Sequence, residues 1–287
     1  KVRRKNMDKS NLVSRLIEIL ADHTPILKKQ IEEFSEDYSV QRNLLRGLMN
    51  MHNIKNALSP EYFKLQDELL QAELKEKTLT QLSDLLGVHI SNRIHLFKGD
   101  ITNLKVDAIV NAANSSLLGC FQAGHNCIDN CIHSCSGLQL RYECSKIVNE
   151  LYQGNAPVGS ATLTDAFNLP CKYVIHVVGP NVSFKVQKKD NDALALCYTN
   201  TLDIAREKGI KSVAFCCIST GCFGFPKAQA ARIAVDTVKE YLESKNADID
   251  VIFNVFTDND YSIYKELTGK KRDDNNDIRP FFNPNLF

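Results

Sequence analysis

The sequence predicts an α/β fold, a three-layer α/β/α sandwich around a central mixed sheet, preceded by a helical extension. Two patterns and one length carry this. From about residue 92, short runs rich in Val, Ile and Phe alternate with helix-spaced apolar residues, the signature of a mostly parallel sheet covered by helices on both faces. Before residue 89 the apolar residues recur three and four apart, so that stretch reads as helical. The chain has 287 residues, 44% hydrophobic and 24% charged, enough for one domain of ordinary size and an extension of roughly eighty to a hundred residues. With 13 Gly and 8 Pro, disordered and collagen-like structures are excluded.

Taken in order, Leu12, Leu16, Ile19 and Leu20 share one face of a first helix, with Ser10 or Asn11 as its expected cap. Leu44, Leu45, Leu48 and Met49 mark a second. Ser59-Pro60-Glu61 reads as the cap and first turn of a third, running through Leu69, Leu70 and Leu74. This extension, residues 1–88, has no Cys and no Gly-rich loop, so it is expected to be a helical cap without chemistry. The main domain, 89–270, has strands expected at 94–97, 108–110, 161–167, 173–178, 213–218 and 251–256, with helices at 193–208 and 227–242. Residues 271–287, rich in Asp, Asn and Pro, read as a polar tail along the surface.

Charge narrows the function classes. Lys and Arg number 35 against 34 Asp and Glu, a formal net charge of +1, so the chain lacks the field of a generic polyanion binder and no specific nucleic-acid partner is expected. Any nucleotide must be held by a local site. The apolar runs at 173–178 and 213–218 are too short to span a bilayer, and no charged-then-apolar leader opens the sequence. All ten Cys lie between Cys120 and Cys222 and include the adjacent Cys216 and Cys217, an awkward layout for a disulfide framework. A reducing, cytoplasmic setting is therefore expected. Cys144, Cys171, Cys197, Cys216 and Cys217 read as small buried apolar residues.

In such sheets ligands sit beyond the carboxyl ends of the strands, which directs attention to three loops. In Gly99-Asp100-Ile101-Thr102 the acidic side chain can accept from an exocyclic amine such as a purine offers. Ser219-Thr220-Gly221-Cys222-Phe223-Gly224-Phe225-Pro226 leads from a strand into a helix and can aim several backbone N–H groups at one phosphate, or can be a plain turn. The third loop follows Asn111-Ala112-Ala113-Asn114. There Cys120, His125 and Cys127 bring two thiolates and an imidazole together, a zinc set with one position open, or else two buried thiols beside an exposed histidine. Cys131 and Cys135 continue the helical spacing from Cys127 and read as a packed stripe. His133 reads as a satisfied, partly buried histidine. Asp129 by itself favours a helix N-terminus.

Gly99-Asp100-Ile101-Thr102, the run 106–114 ending in Asn111-Ala112-Ala113-Asn114, Ile128-Asp129-Asn130-Cys131-Ile132-His133, and Ile218 to Gly221 with Phe223 to Pro226 together resemble the macrodomain family of ADP-ribose binders, in family order over about residues 92–268. The stretch from Cys120 to Cys127 departs from the glycine-rich loop of most members. It resembles the zinc-containing subgroup, which also carries a helical N-terminal extension. The resemblance implies a zinc-dependent hydrolase that removes mono-ADP-ribose from modified proteins, with one Zn2+ on Cys120, His125 and Cys127. It implies that Asp100 holds the adenine amine beside Ile101, and that Ser219, Thr220, Gly221, Cys222 and Phe223 cradle the diphosphate, Cys222 standing where an aliphatic residue is usual. Asn114 would bind the distal ribose next to Cys120, Cys127 and Ile128. Asp129 would orient or deprotonate water, making Asn114 and Asp129 the expected catalytic pair. Lipoyl-carrier proteins and sirtuin-type ADP-ribosyltransferases are the implied partners besides ADP-ribose and mono-ADP-ribosylated protein. The rival readings are a non-catalytic ADP-ribose reader and a deacetylase of O-acetyl-ADP-ribose.

Overall fold

The computed structural model describes residues 8–23, 37–88 and 93–268; the tail expected at 271–287 lies outside the described residues. Helices α1 (Lys9–Asp22), α2 (Tyr38–Met51) and α3 (Pro60–Glu76) come first. Leu12 and Leu16, Leu45 and Leu48, and Tyr62 and Leu69 close one apolar cluster among them, joined by Leu138 from the following domain. α3 opens as expected, with Ser59 accepting from the Tyr62 amide. α1 does not use Ser10 or Asn11 as its cap: Asp8 occupies that position without a side-chain bond, so the packing of the leucine face sets this end.

Two short strands, β1 (Thr80–Gln81) and β3 (Leu104–Lys105), pair in parallel. The main sheet contains β2 (Ile94–Lys98), β4 (Ala108–Ala113), β5 (Ala161–Asp165), β6 (Tyr173–Val178), β7 (Ser212–Phe215) and β8 (Asp250–Val255), in the order β2-β8-β7-β4-β6-β5. Neighbours run parallel except β5, which is antiparallel to β6. The sheet is mixed and covered by α4 (Ile128–Ser136), α5 (Leu138–Tyr152), α6 (Lys188–Glu207), α7 (Lys227–Ser244) and α8 (Asp258–Leu267). α4 packs with α5, and α7 with both α6 and α8, so the three-layer expectation is met. Val174, Ile175, Val251, Ile252 and Phe253 are all buried, which is why β6 and β8 read as continuous apolar runs.

Some boundaries differ from the sequence expectation. The strand expected over 161–167 stops at Asp165, and Phe167 takes a left-handed φ of 51°. The strand expected over 213–218 ends at Phe215, because Cys217 already accepts from Thr220 in the next turn. α6 starts at Lys188 rather than 193, since a reciprocal cap between Gln187 and Asp190 recruits a first turn with no apolar spacing.

β4 and β7 pair at Ala108–Val213 and Ile109–Ala214. From β4 the chain crosses one way to β6 and later returns to β7 on the other side. This is where the strand order reverses, and the crevice beyond such a point is the usual ligand site of an open α/β sheet. No described helix is long and apolar enough to cross a membrane.

Candidate active site

The loops after β2, β4, β6 and β7 leave the same edge of the sheet. After β2, Asp100 caps a short 3-10 turn, its Oδ1 accepting from the Thr102 amide and hydroxyl at 2.8 Å each. Oδ2 has no partner among the described residues. Gly99 is tied to β8, donating to the Val255 carbonyl and accepting from Asn254 Nδ2 at 2.9 Å. Ile101 is buried beneath.

After β7 the chain folds on itself. Ser219 has a φ of 64°, and its carbonyl accepts from the Phe225 amide at 3.0 Å. Phe223 accepts from the Val182 amide at 2.8 Å, which ties this loop to the one after β6. Gly224 has a φ of 68°, and a Cβ there would meet the Val182 carbonyl at 2.8 Å, so only glycine fits. The amides of Gly221, Cys222 and Phe223 have no acceptor among the described residues. Three free N–H groups in one turn are a ready anion site. Cys222 is exposed.

Between these loops lies Asp129, in the first turn of α4 and 5% exposed. Its Oδ1 accepts from Asn111 Nδ2 at 2.8 Å, and Asn114 Nδ2 lies 3.5 Å from its Oδ2. Burial raises its carboxyl to about 6, against the Asn111 hydrogen bond and the charge of Arg141. Asn111 is itself held: its amide lies 3.1 Å from His176 Nδ1 on β6. An amide nitrogen can only donate, so Nδ1 accepts and Nε2 carries the ring proton, toward Thr164 Oγ1 at 3.0 Å. Burial pushes His176 down to about 3 and keeps it neutral.

His133 differs from expectation. It is 4% exposed, neither ring nitrogen has a hydrogen-bond partner among the described residues, and Nε2 stands 3.5 Å from Asp129 Oδ1. The sequence offered no sign of this, since spacing places a histidine on a face without saying what it meets. Gly119 makes room for that ring: its φ is 82°, and a Cβ would lie 2.9 Å from the imidazole. Gly119→Ala is therefore expected to push His133 toward Asp129 and lower turnover about tenfold or more. Steady-state kinetics on the purified variant check this.

The loop after β4 brings Cys120, His125 and Cys127 together, all half-buried, with their ligand atoms within 4.8 Å of one another. Cys120 Sγ is 3.5 Å from His125 Nδ1. With Zn–S near 2.3 Å and Zn–N near 2.0–2.1 Å, a tetrahedral ion requires an S to N separation of about 3.6 Å, so the donor set fits zinc. Cys127 also caps α4, its thiol accepting from the Asn130 amide at 3.4 Å. Burial, with the Cys120 thiol and Asp129 beside it, pushes Cys127 up to about 12; a bound cation favours the thiolate of a coordinating cysteine. A second group, His133, Cys144 and His176, is fully buried, and there His176 already has hydrogen-bond partners on both nitrogens. Cys131 and Cys135 face the N-terminal helices, Cys131 lying 3.7 Å from Arg46 Nη2.

Comparison with known proteins comes to the same place. The Macro domain model matches residues 110–234. A curated protein of Treponema medium, "Protein-ADP-ribose hydrolase", is 46% identical over 238 residues, 82% of this chain and 90% of its own. One of the same name from Staphylococcus aureus is 49% identical over 227 residues, 78% of this chain and 83% of its own. Among solved structures, a Trypanosoma brucei macrodomain in complex with ADP-ribose superposes with a TM-score of 0.61 and 28% identity, over 78% of this chain and 95% of that one. With identity approaching one half over most of both chains, this chain belongs to the macrodomain family.

Proposed function

We propose that the chain removes mono-ADP-ribose from modified proteins in a zinc-dependent reaction. Hydrolysis of protein-bound ADP-ribose carries over from the relatives, which bear that name at 46% and 49% identity over most of both chains. The zinc part rests on one observation: two thiols and an imidazole converge within 4.8 Å of one another on the loop next to Asp129, with Cys120 Sγ 3.5 Å from His125 Nδ1. Asp100 accepts from the adenine amine through its free oxygen. The amides of Gly221 to Phe223, in the turn that Ser219 and Thr220 open, receive the diphosphate. Asn114 binds the distal ribose, flanked by Ile128.

Water adds to C1 of that ribose, and the bond from C1 to the acceptor side chain breaks. Asp129 takes the proton from water and passes it to the departing acceptor, so that OH ends on C1 and H on the acceptor. Asn111 fixes the carboxylate through Oδ1, leaving Oδ2 beside Asn114 to meet the water. Cys120, His125 and Cys127 would hold zinc, which supplies Lewis-acid polarisation of an oxygen ligand when bound. The ten free thiols suit a reducing cytoplasm. The proposed protein substrate is a lipoyl-carrier protein modified by a sirtuin-type ADP-ribosyltransferase, the pair that the sequence's resemblance to the zinc-containing subgroup implies.

The test is release of ADP-ribose from a panel of mono-ADP-ribosylated proteins, a lipoyl-carrier protein included, before and after chelation. Cys120→Ala is expected to lose both bound zinc and turnover. A metal-free Cys120→Ala protein with the wild-type rate would end the zinc reading. Binding without release on every substrate would make the chain a reader, and release of acetate from O-acetyl-ADP-ribose alone would make it a deacetylase.

A further inference from the structure

The helical extension, expected to be inert, reaches the loop that carries Cys120, His125 and Cys127. Asn50 on α2 is 1% exposed, and its Oδ1 accepts from the Gly124 amide at 3.0 Å. Its Nδ2 donates to Ser134 Oγ at 3.0 Å, and Ser134 donates to Asn130 Oδ1 at 3.1 Å. Asn130, also buried, donates to the Gln122 carbonyl at 2.9 Å. One turn back on α2, Arg46 Nη2 donates to the His125 carbonyl at 3.1 Å and lies 3.3 Å from Asn130 Oδ1. Gly47 between them faces Ala123. From the other side Arg141, 1% exposed, donates to the Met49 and His52 carbonyls at the end of α2. Its guanidinium lies 4.6 Å from the Phe121 ring.

Residues 121–124 and 126 are exposed, and Gly124 has a φ of 65°. Holding such a segment in one conformation costs backbone entropy at every residue. Besides its own turn, in which the His125 amide donates to the Gln122 carbonyl at 3.2 Å, the bonds that fix it come from α2 and from Asn130, one residue after Asp129. Loop and carboxylate are thus referred to the same anchor. We propose that Asn50 and Arg46 are positioning residues of the active site, acting through the Gly124 amide and the His125 carbonyl to hold the Cys120–Cys127 loop against Asp129. This rests on the reading of that loop as part of the active site.

The test uses the full chain with Asn50→Ala, Asn50→Asp, which keeps the acceptor for Gly124, and Arg46→Met. Amide hydrogen exchange is followed over residues 119–127 and over β4 and β6, together with kcat and KM on a mono-ADP-ribosylated protein and Zn2+ affinity by chelator competition. Asn50→Ala is expected to accelerate exchange in the loop but not in the strands, and to lower kcat and Zn2+ affinity each by about 10–100-fold, as loss of a supporting hydrogen bond does elsewhere. KM stays unchanged, Asn50→Asp recovers most of kcat, and Arg46→Met shows the same pattern more weakly. Loop exchange and kcat at wild-type values in folded Asn50→Ala would overturn the proposal, as would equal acceleration across loop and strands. If the wild-type chain binds no Zn2+, the zinc reading fails while exchange and kcat still decide this one. If it has no turnover, the hydrolase reading fails and exchange alone decides.

Discussion

Replacing Asp129 by asparagine is expected to lower kcat for release of ADP-ribose from protein by about 10²–10⁴-fold, the usual worth of a positioned general base. Asparagine is nearly isosteric and still presents an oxygen to Asn111 Nδ2, 2.8 Å away in the parent, so the local hydrogen bond survives and the proton acceptor does not. The residues proposed for the adenine and the diphosphate lie on other loops, and the Kd for free ADP-ribose should stay within about threefold, the pattern of an interaction made in the transition state. Calorimetric titration of ADP-ribose and single-turnover release on the same preparation separate the two effects. An Asp129→Asn protein with wild-type kcat would remove Asp129 from the mechanism and leave His133 as the next group to test.

The second large effect is on stability in acid. His176 is buried, neutral and pushed down to about 3, whereas in the unfolded chain it titrates near its ordinary value of about 6.5. Below that value the unfolded chain binds a proton that the folded chain refuses. Stability is therefore complete above pH 6.5 and falls by about 1.4 kcal/mol per pH unit as the pH drops toward 3. His133 is lowered in the same sense by burial and by His176 beside it, and His52, lowered to about 4 by burial and Arg141, follows. Asp129 works the other way. Its folded value of about 6 lies above its ordinary 3.8, so between those values the folded state binds the extra proton and offsets one histidine. The net expectation is a urea midpoint that declines steadily from pH 6.5 to 4.5. A flat midpoint across that window would contradict the buried, neutral state of these rings.

The fold was legible where one property dominates a stretch. β6 and β8 are buried on both faces, so Tyr173–Val178 and Asp250–Val255 show up as Val, Ile and Phe with little else. The start of α6 was not, because Lys188 to Asp192 are polar and the helix begins there through a cap rather than an apolar face. The same contrast holds in the site. Cys120, His125 and Cys127 were legible as a group because one short loop carries all three. Asn111, His176 and Thr164 lie on three strands and meet only through sheet register, Asn111 beside His176 and Thr164 across from Val174. Linear spacing contains no trace of that. Asn50 and Arg46 were invisible for a further reason: each occupies a polar position of an amphipathic helix, where solvent is the ordinary expectation.

The sheet order also sets a timetable for synthesis. β2 is hydrogen-bonded to β8, Ile94 beside Val251, so the first long strand of the sheet waits for the last. The three-helix bundle and the β4–β6 pairing use contacts closer in sequence and can close earlier. At about 5–20 residues per second, translation from one strand to the other takes on the order of ten to thirty seconds. Throughout that interval Ile94, Leu96 and Phe97 belong to an unpaired apolar edge, the kind of surface that chaperones cover. Gly99 has no Val255 carbonyl or Asn254 amide to hold it until β8 arrives. The proposed adenine end of the groove is thus the last part of the site to be assembled, and on that reading a nascent chain can complete its nucleotide site only once β8 has left the ribosome.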